Sequence, residues 1–272
     1  MPTLQILPVV KAYPVVDHVS FSEAVCVAGI DMAQPHRWIR LFPLDFRGLE
    51  RARRFRKYEV ITLDAKKSVQ DSRPESYTPV LDSIVTGEHI GSENGSWRSR
   101  MSYLDAVRDA SMCEIQRRQK ETRQSLGIFR PLEIEDLSVA PAPEAFAESQ
   151  RAVIEQASLL EDRAGDSSRN PLEPLPVKAK FSYRCEDARC RGHNQSFIDW
   201  ELGAFYRRIR DETSAAMPAR LEAVRSHFLN LCDRTRDMHF VTGSMLAHPT
   251  SFLILGLVYP RRGSAPQTAR LF

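Results

Sequence analysis

Residues 4–85 alternate between apolar and polar positions with a period of two, and no long 3.6-residue period interrupts them. EAVCVAGID, residues 23–31, is apolar on both faces up to Gly29. In HRWIRLFP, Ile39 and Leu41 share one face while Trp38, Arg40 and Phe42 share the other. KYEVITLDAK sets Ile61, Leu63 and Ala65 against Tyr58, Val60, Thr62 and Asp64, and a further strand is expected over 77–85. Short strands punctuated by Pro and Gly predict a small all-β unit, a barrel.

The period changes to helical over 97–124, where Met101, Leu104, Val107, Ala110, Met112 and Ile115 form a stripe. A strand is expected over 132–139, a helix over 144–160, and a linker in the proline-bearing stretch 161–176. VKAKFSYRC then alternates cleanly, with Val177, Ala179, Phe181, Tyr183 and Cys185 on one face and Lys178, Lys180, Ser182 and Arg184 on the other. Helices are expected over 197–212 and 218–232, and strands over 238–242 and 251–259. The last strand is apolar on both faces, as suits the middle of a sheet. A polar tail follows Pro260. No internal repeat is visible at a fixed period. The pattern predicts an α+β chain with a β-barrel unit and its following helix over 1–125, and a mixed unit with several helices and a short sheet over 126–272.

Composition adds bounds. The 272 residues are 42% hydrophobic and 27% charged, which excludes collagen-like, coiled-coil and wholly disordered chains. The longest apolar run, 252–258, is too short to span a bilayer, so no membrane role is expected. The opening MPTLQILPVVKAYP lacks the basic region and long apolar core of an export signal. With five scattered cysteines this points to a reducing cytoplasm. The net charge of +3 conceals clustering: residues 47–57 carry six basic side chains, Arg47, Arg51, Arg53, Arg54, Arg56 and Lys57, against Glu50 alone. Clustered positive charge suits a polyanion-facing surface.

Three constellations could carry chemistry. In CEDARCRGHNQSFIDWE, residues 185–201, Cys185, Cys190 and His193 sit close enough on one strand-to-helix turn to wrap a zinc ion. The fourth ligand is absent locally, and Cys232, His227 or His239 could fold back to supply it. Ser196 stands where the next helix should be capped. Without an H-E-x-x-H or H-x-E partner, a closed structural zinc site is expected rather than a catalytic one. The second constellation is Trp38, Arg40 and Phe42, an aromatic–basic–aromatic row suited to stacking unpaired bases while holding phosphate. Lys178, Lys180 and Arg184 extend the candidate nucleic-acid contacts into the second unit. The third is D-x-K at Asp64 and Lys66, with Glu59 nearby, which is the closing element of a metal-dependent nuclease motif. No nucleotide-binding glycine loop and no G-x-S-x-G occur.

The segment EAVCVAGIDMAQPHRWIRLFP resembles bacterial proteins with a dual OB-containing domain, through Cys26, Ala28 and Gly29 and then Trp38, Ile39 and Arg40. The resemblance implies an OB-like barrel, nucleic-acid or nucleotide binding, and a setting in bacterial defence or mobile-element loci. The leading expectation is a cytoplasmic nucleic-acid-binding or recognition subunit that contacts single strands, joins a protein partner in a complex and holds structural zinc. A metal-dependent nuclease or nucleotide-processing enzyme is the alternative, and a protein–protein adaptor a further one.

Overall fold

The computed structural model describes residues 1–16, 23–143, 145–148, 150, 151 and 172–263. The helix expected over 144–160 lies largely outside the described residues. So do 161–171 of the expected linker, and the tail from 264 onward.

The N-terminal part is a closed five-stranded β-barrel. Its strands are β1 (Thr3–Lys11), β2 (Val25–Asp31), β3 (Trp38–Leu44), β4 (Glu59–Lys67) and β5 (Ser76–Pro79). They hydrogen-bond in the order β1-β2-β3-β5-β4, and β4 returns to β1 to close the ring. The β3–β5 pair is parallel and the others are antiparallel. β6 (Val85–His89) adds to β4 outside the ring, so the stretch expected as one strand over 77–85 is two. The inward residues are those the alternation assigns: Ile39 and Leu41 from β3 meet Ile61, Leu63 and Ala65 from β4. Gly29 is required by closeness rather than by a turn. A Cβ there would lie 2.6 Å from Ile6 Cγ2 and 2.7 Å from the Leu7 carbonyl oxygen, where β1 crosses.

The second part is built on another six-stranded sheet: β7 (Gly127–Phe129), β8 (Pro131–Pro141), β9 (Val177–Cys185), β10 (His193–Phe197), β11 (His239–Ser244) and β12 (Phe252–Val258). Its order is β7-β11-β12-β10-β9-β8, with β12 internal. β7 and β8 are one run of chain broken only at Arg130, so the two ends of the sheet meet there. Counting them as one strand, the order is first–second–third–fifth–fourth, with the third and fifth parallel. That is the order of the first barrel, a repeat the sequence does not display. Three further helices accompany it: α2 (Met112–Thr122), α3 (Trp200–Glu212) and α4 (Met217–Asn230). Their apolar faces join Phe181, Tyr183, Phe197 and Phe240 in the second core.

The helix expected over 97–124 is two, α1 (Arg98–Ala106) and α2. Between them Asp109 pairs its backbone with Ile128, and Ser111 starts a new helix by accepting from the Glu114 amide at 3.1 Å. The Glu114 carboxylate returns to the Ala110 amide at 2.8 Å, one residue ahead of the N-cap, in a variant of the capping box. α1 packs on the barrel side through Met101 and Leu104, whereas α2 sends Met112 and Ile115 into the second core. Asp199, not Ser196, caps α3 by accepting from the Glu201 amide at 3.0 Å; Ser196 still belongs to β10, paired with Lys180.

A third apolar cluster welds the two parts. Leu7, Ala28, Ile30, Trp38 and Val60 on the outside of the barrel pack against Leu126, Ile128, Val241 and Leu255. Within this seam Arg40 donates to Ser125 Oγ at 2.7 Å, and Glu75 accepts from the Ser125 amide and hydroxyl at 2.8 Å each. Among the described residues no helix is long and apolar enough to cross a membrane.

Candidate metal centre

Three elements deliver four ligand atoms to one point. Cys113 is the second residue of α2, its position fixed by the capping box at Ser111. Cys185 ends β9, Cys190 lies in the following turn, and His193 opens β10. The turn is tight because the Cys190 amide donates to the Asp187 carbonyl at 2.9 Å. Gly192 follows at φ 91°, a backbone conformation natural to glycine. Arg117 of α2 reaches Asp187 at 2.7 Å and so ties the helix to the turn.

The four ligand atoms lie within 4.8 Å of one another. A tetrahedron with sulfur at about 2.3 Å and nitrogen at about 2.0–2.1 Å from a zinc-like ion has S···S edges of about 3.8 Å and S···N edges of about 3.6 Å. The Cys113 and Cys185 sulfurs are 3.6 Å apart. His193 Nε2 is 3.3 Å from the Cys185 sulfur and 3.6 Å from that of Cys113. The spacing fits a four-coordinate ion.

The electrostatics agree with that fit. Burial opposes ionisation of Cys190, but the amides of Cys185 and Gly192, each donating to its sulfur at 3.4 Å, hold its pKa below the usual thiol value. Cys113 is pushed up to about 12, by burial first and then by Cys185 and Cys190 beside it. Three crowded sulfurs resist ionising together unless a cation neutralises them, which a divalent metal does. Burial lowers the His193 pKa and keeps the imidazole neutral, and the ring stacks on Tyr183 with centroids 5.1 Å apart. These four residues could hold a metal ion, and since all four positions would be filled by protein the site would be closed.

The structure thus gathers Cys185, Cys190 and His193, on a turn between two strands rather than the expected strand-to-helix turn, and replaces the expected fourth ligand. Cys232 sits at the end of α4 with its sulfur on the Phe228 carbonyl at 3.2 Å. His227 stacks on Phe205, and His239 is buried in β11 beside Asp237 and Arg108. Cys113 was invisible to spacing because it lies 72 residues from Cys185. The usable signal was the S-x-x-E box at 111–114, which places Cys113 in a helix's first turn.

The expected stacking row is core instead. Trp38 is 3% and Arg40 4% exposed, both under the second sheet, and Phe42 is half-buried. The alternation holds, but the outward face of β3 meets protein, not solvent. The 47–57 run is largely paired: Arg47 with Glu23, Arg53 with Glu50 and Asp82, Arg56 with Glu59, and Lys57 with Asp199 and Glu201. Arg54 is exposed and braces the loop through the Leu49 and Arg47 carbonyls, and Arg51 is also exposed. Lys178, Lys180 and Arg184 are exposed on the outer face of β9. Asp64 accepts from Thr3 at 2.5 Å, Glu59 is held by Arg56, and Lys66 is exposed. Those three form no converging metal site; among the described residues the Cys/His group is the set of three or more metal-capable side chains.

The chain belongs to the family described as Domain of unknown function (DUF8757), which matches residues 107–272. Residues 2–106 match a second, Domain of unknown function (DUF8758). The two matches meet between α1 and α2, where packing passes from one core to the other. No curated protein matches the chain.

Proposed function

We propose that the chain is a nucleic-acid-binding recognition subunit made of two OB-like barrels, with zinc in the Cys113, Cys185, Cys190 and His193 set. The observation that carries this reading is the strand order repeated in both halves. OB barrels are five-stranded Greek-key barrels that receive oligonucleotides on the outer face of strands 2 and 3. In the first barrel that face is β2–β3, with Ile30 paired to Trp38 and Ala28 to Arg40, and the second part covers it. In the second barrel the equivalent face is β9–β10, and it is open.

That open face is basic and polar. Lys178, Lys180 and Arg184 point outward along β9, with Ser182 paired to Asn194 and Lys180 to Ser196 on β10. Lys178 to Arg184 spans about 20 Å of strand, enough to follow several phosphates of an extended single strand. Charge without exposed aromatics there favours backbone contact over base reading, so binding should be sequence-tolerant and salt-sensitive. Zinc would join α2 to the β9–β10 hairpin and fix the strands that present the basic row. A thiolate–imidazole donor set in a closed site is the chemistry zinc favours.

The test is titration of a labelled single strand at several salt concentrations against wild type and Lys178→Ser/Lys180→Ser. The double variant should bind more weakly and lose about 1.4 from the slope of log K against log salt, since each single-strand phosphate contact contributes about 0.7. Unchanged affinity and slope would remove the β9–β10 face from the reading, and no binding by wild type would remove the function.

A further inference from the structure

A cleft of about 350 Å³ opens between the two parts, and neither the metal set nor β9–β10 contributes to its lining. Its walls come from five places in the chain: Lys11 ending β1, Arg56 to Tyr58 before β4, Trp97 and Arg100 at α1, Trp200 and Glu201 at α3, and Tyr259 after β12. We propose that this cleft binds one nucleotide unit, its phosphate on Lys11 and Arg100 and its base against the exposed parts of Trp200 and Tyr259. The choice of ligand class rests on the nucleic-acid reading above.

The charge pattern is the first reason. Lys57 is already neutralised, at 2.7 Å from Asp199 and 2.9 Å from Glu201. Lys11 and Arg100 are not: among the described residues no carboxylate lies within ion-pair distance of either. Lys11 spends one donor on the Phe55 carbonyl at 3.0 Å, and its ammonium lies 4.0 Å from the Phe46 ring centre. Arg100 spends Nε on the Ile90 carbonyl at 2.9 Å and lies over Tyr58, 3.9 Å from the ring centre, and over Trp97, 4.8 Å away. Among the described residues its two terminal nitrogens have no hydrogen-bond acceptor, yet they are not sealed from solvent. A nearly buried guanidinium held on two aromatic faces with its fork unspent is a ready donor to an anion.

The second reason is the framing of those cations. Tyr58 (φ 62°) and Trp97 (φ 54°) both hold left-handed backbone conformations that bulky side chains rarely adopt. Their rings meet at 5.4 Å, and Trp97 continues to Tyr259 at 5.0 Å. Two strained aromatics at one cleft are the kind of local cost that a binding site sustains. Trp200 and Tyr259 are only half-buried and leave aromatic surface facing the space. Glu201 supplies an acceptor for base N–H groups. The volume lies at the small end of ligand cavities, room for one nucleotide and not for a duplex.

The source is either a free nucleotide or the end of a strand, and the probes separate them. Calorimetric titrations would use the four nucleoside 5′-monophosphates, inorganic phosphate, and one short strand with and without a 5′-phosphate. Lys11→Met keeps the apolar stem and removes a buried charge, so it should fold well and weaken the nucleotide at least about tenfold. Trp200→Ala should weaken nucleotides and leave inorganic phosphate unchanged. Tight binding of the monophosphates supports a free nucleotide; binding confined to the 5′-phosphorylated strand supports a strand end. Inorganic phosphate binding as well as any nucleotide or strand, binding of the preferred probe indifferent to Lys11→Met, or binding of neither the monophosphates nor the phosphorylated strand would overturn the proposal. Strand binding that fails in Lys178→Ser/Lys180→Ser but not in Lys11→Met, with no monophosphate bound, would sink the cleft and leave the recognition reading. Monophosphate binding without strand binding would do the reverse.

Discussion

Cys113→Ser should destabilise the chain more than Cys190→Ser when zinc is saturating, because the two ligands close loops of very different length. A metal that clips distant residues restricts the unfolded chain as a cross-link does. Cys113 and Cys185 are 72 residues apart, and closing such a loop corresponds to about 4 kcal/mol on the chain-entropy scale. Cys185 and Cys190 are 5 residues apart, which corresponds to about 2 kcal/mol. Without Cys190 the remaining three ligands still hold α2 to the hairpin; without Cys113 that tie is lost. At roughly 2–4 °C per kcal/mol for a unit of this size, Cys113→Ser should melt about 8–16 °C below the zinc-loaded wild type. Cys190→Ser should fall about half as far. The assay is a thermal melt with and without excess chelator, beside a colorimetric count of zinc released on denaturation. With chelator the wild type should fall to near the variants. Equal melting of wild type and Cys113→Ser in saturating zinc, or a purified wild type that releases none of the metal, would refute the reasoning.

Three other perturbations probe the rest of the fold. Glu75→Ala removes the carboxylate that accepts from Ser125 and Leu126 and lies 3.9 Å from Arg40, leaving a buried guanidinium without its counter-charge; urea unfolding should show a loss of about 3–5 kcal/mol. Gly192→Ala forces a side chain into φ 91° and should cost about 1–2 kcal/mol while weakening zinc affinity, read by competition with a chromogenic chelator. Lys11 is lowered to about 8 by burial and by Lys57, with Asp199, Glu201 and Glu59 opposing. Between pH 8 and 10.5 the unfolded chain therefore holds a proton the folded chain has shed, and stability gains as pH rises through that window. Lys11→Met should accordingly be about 2–3 kcal/mol more stable than wild type at pH 7 and lose that advantage near pH 10.5, measured by denaturant titration at each pH.

The sequence by itself determined the local elements and which residues face inward. Alternation in β3, β4 and β9 placed Ile39, Leu41, Ile61, Leu63, Ala65 and Phe181 in cores, because a strand's side chains must take opposite faces whatever lies beyond them. The same logic brought Cys185, Cys190 and His193 onto one turn, since their contacts are local. What covers the other face of a strand is not a local property. Trp38 and Arg40 alternate like a binding row, yet the second sheet takes that face, so Ala28, Trp38 and Arg40 serve the seam between the two parts while Ile39 faces the barrel interior. Lys178, Lys180 and Arg184 alternate in the same way and stay open. Cys113 likewise joins its partners only because α2 folds back over the β9–β10 hairpin, a closure that the tertiary packing of Met112 and Ile115 decides and no spacing records. The repeated strand order and the cleft between the two parts are of the same kind, since each is set by which strands pair across long stretches of chain.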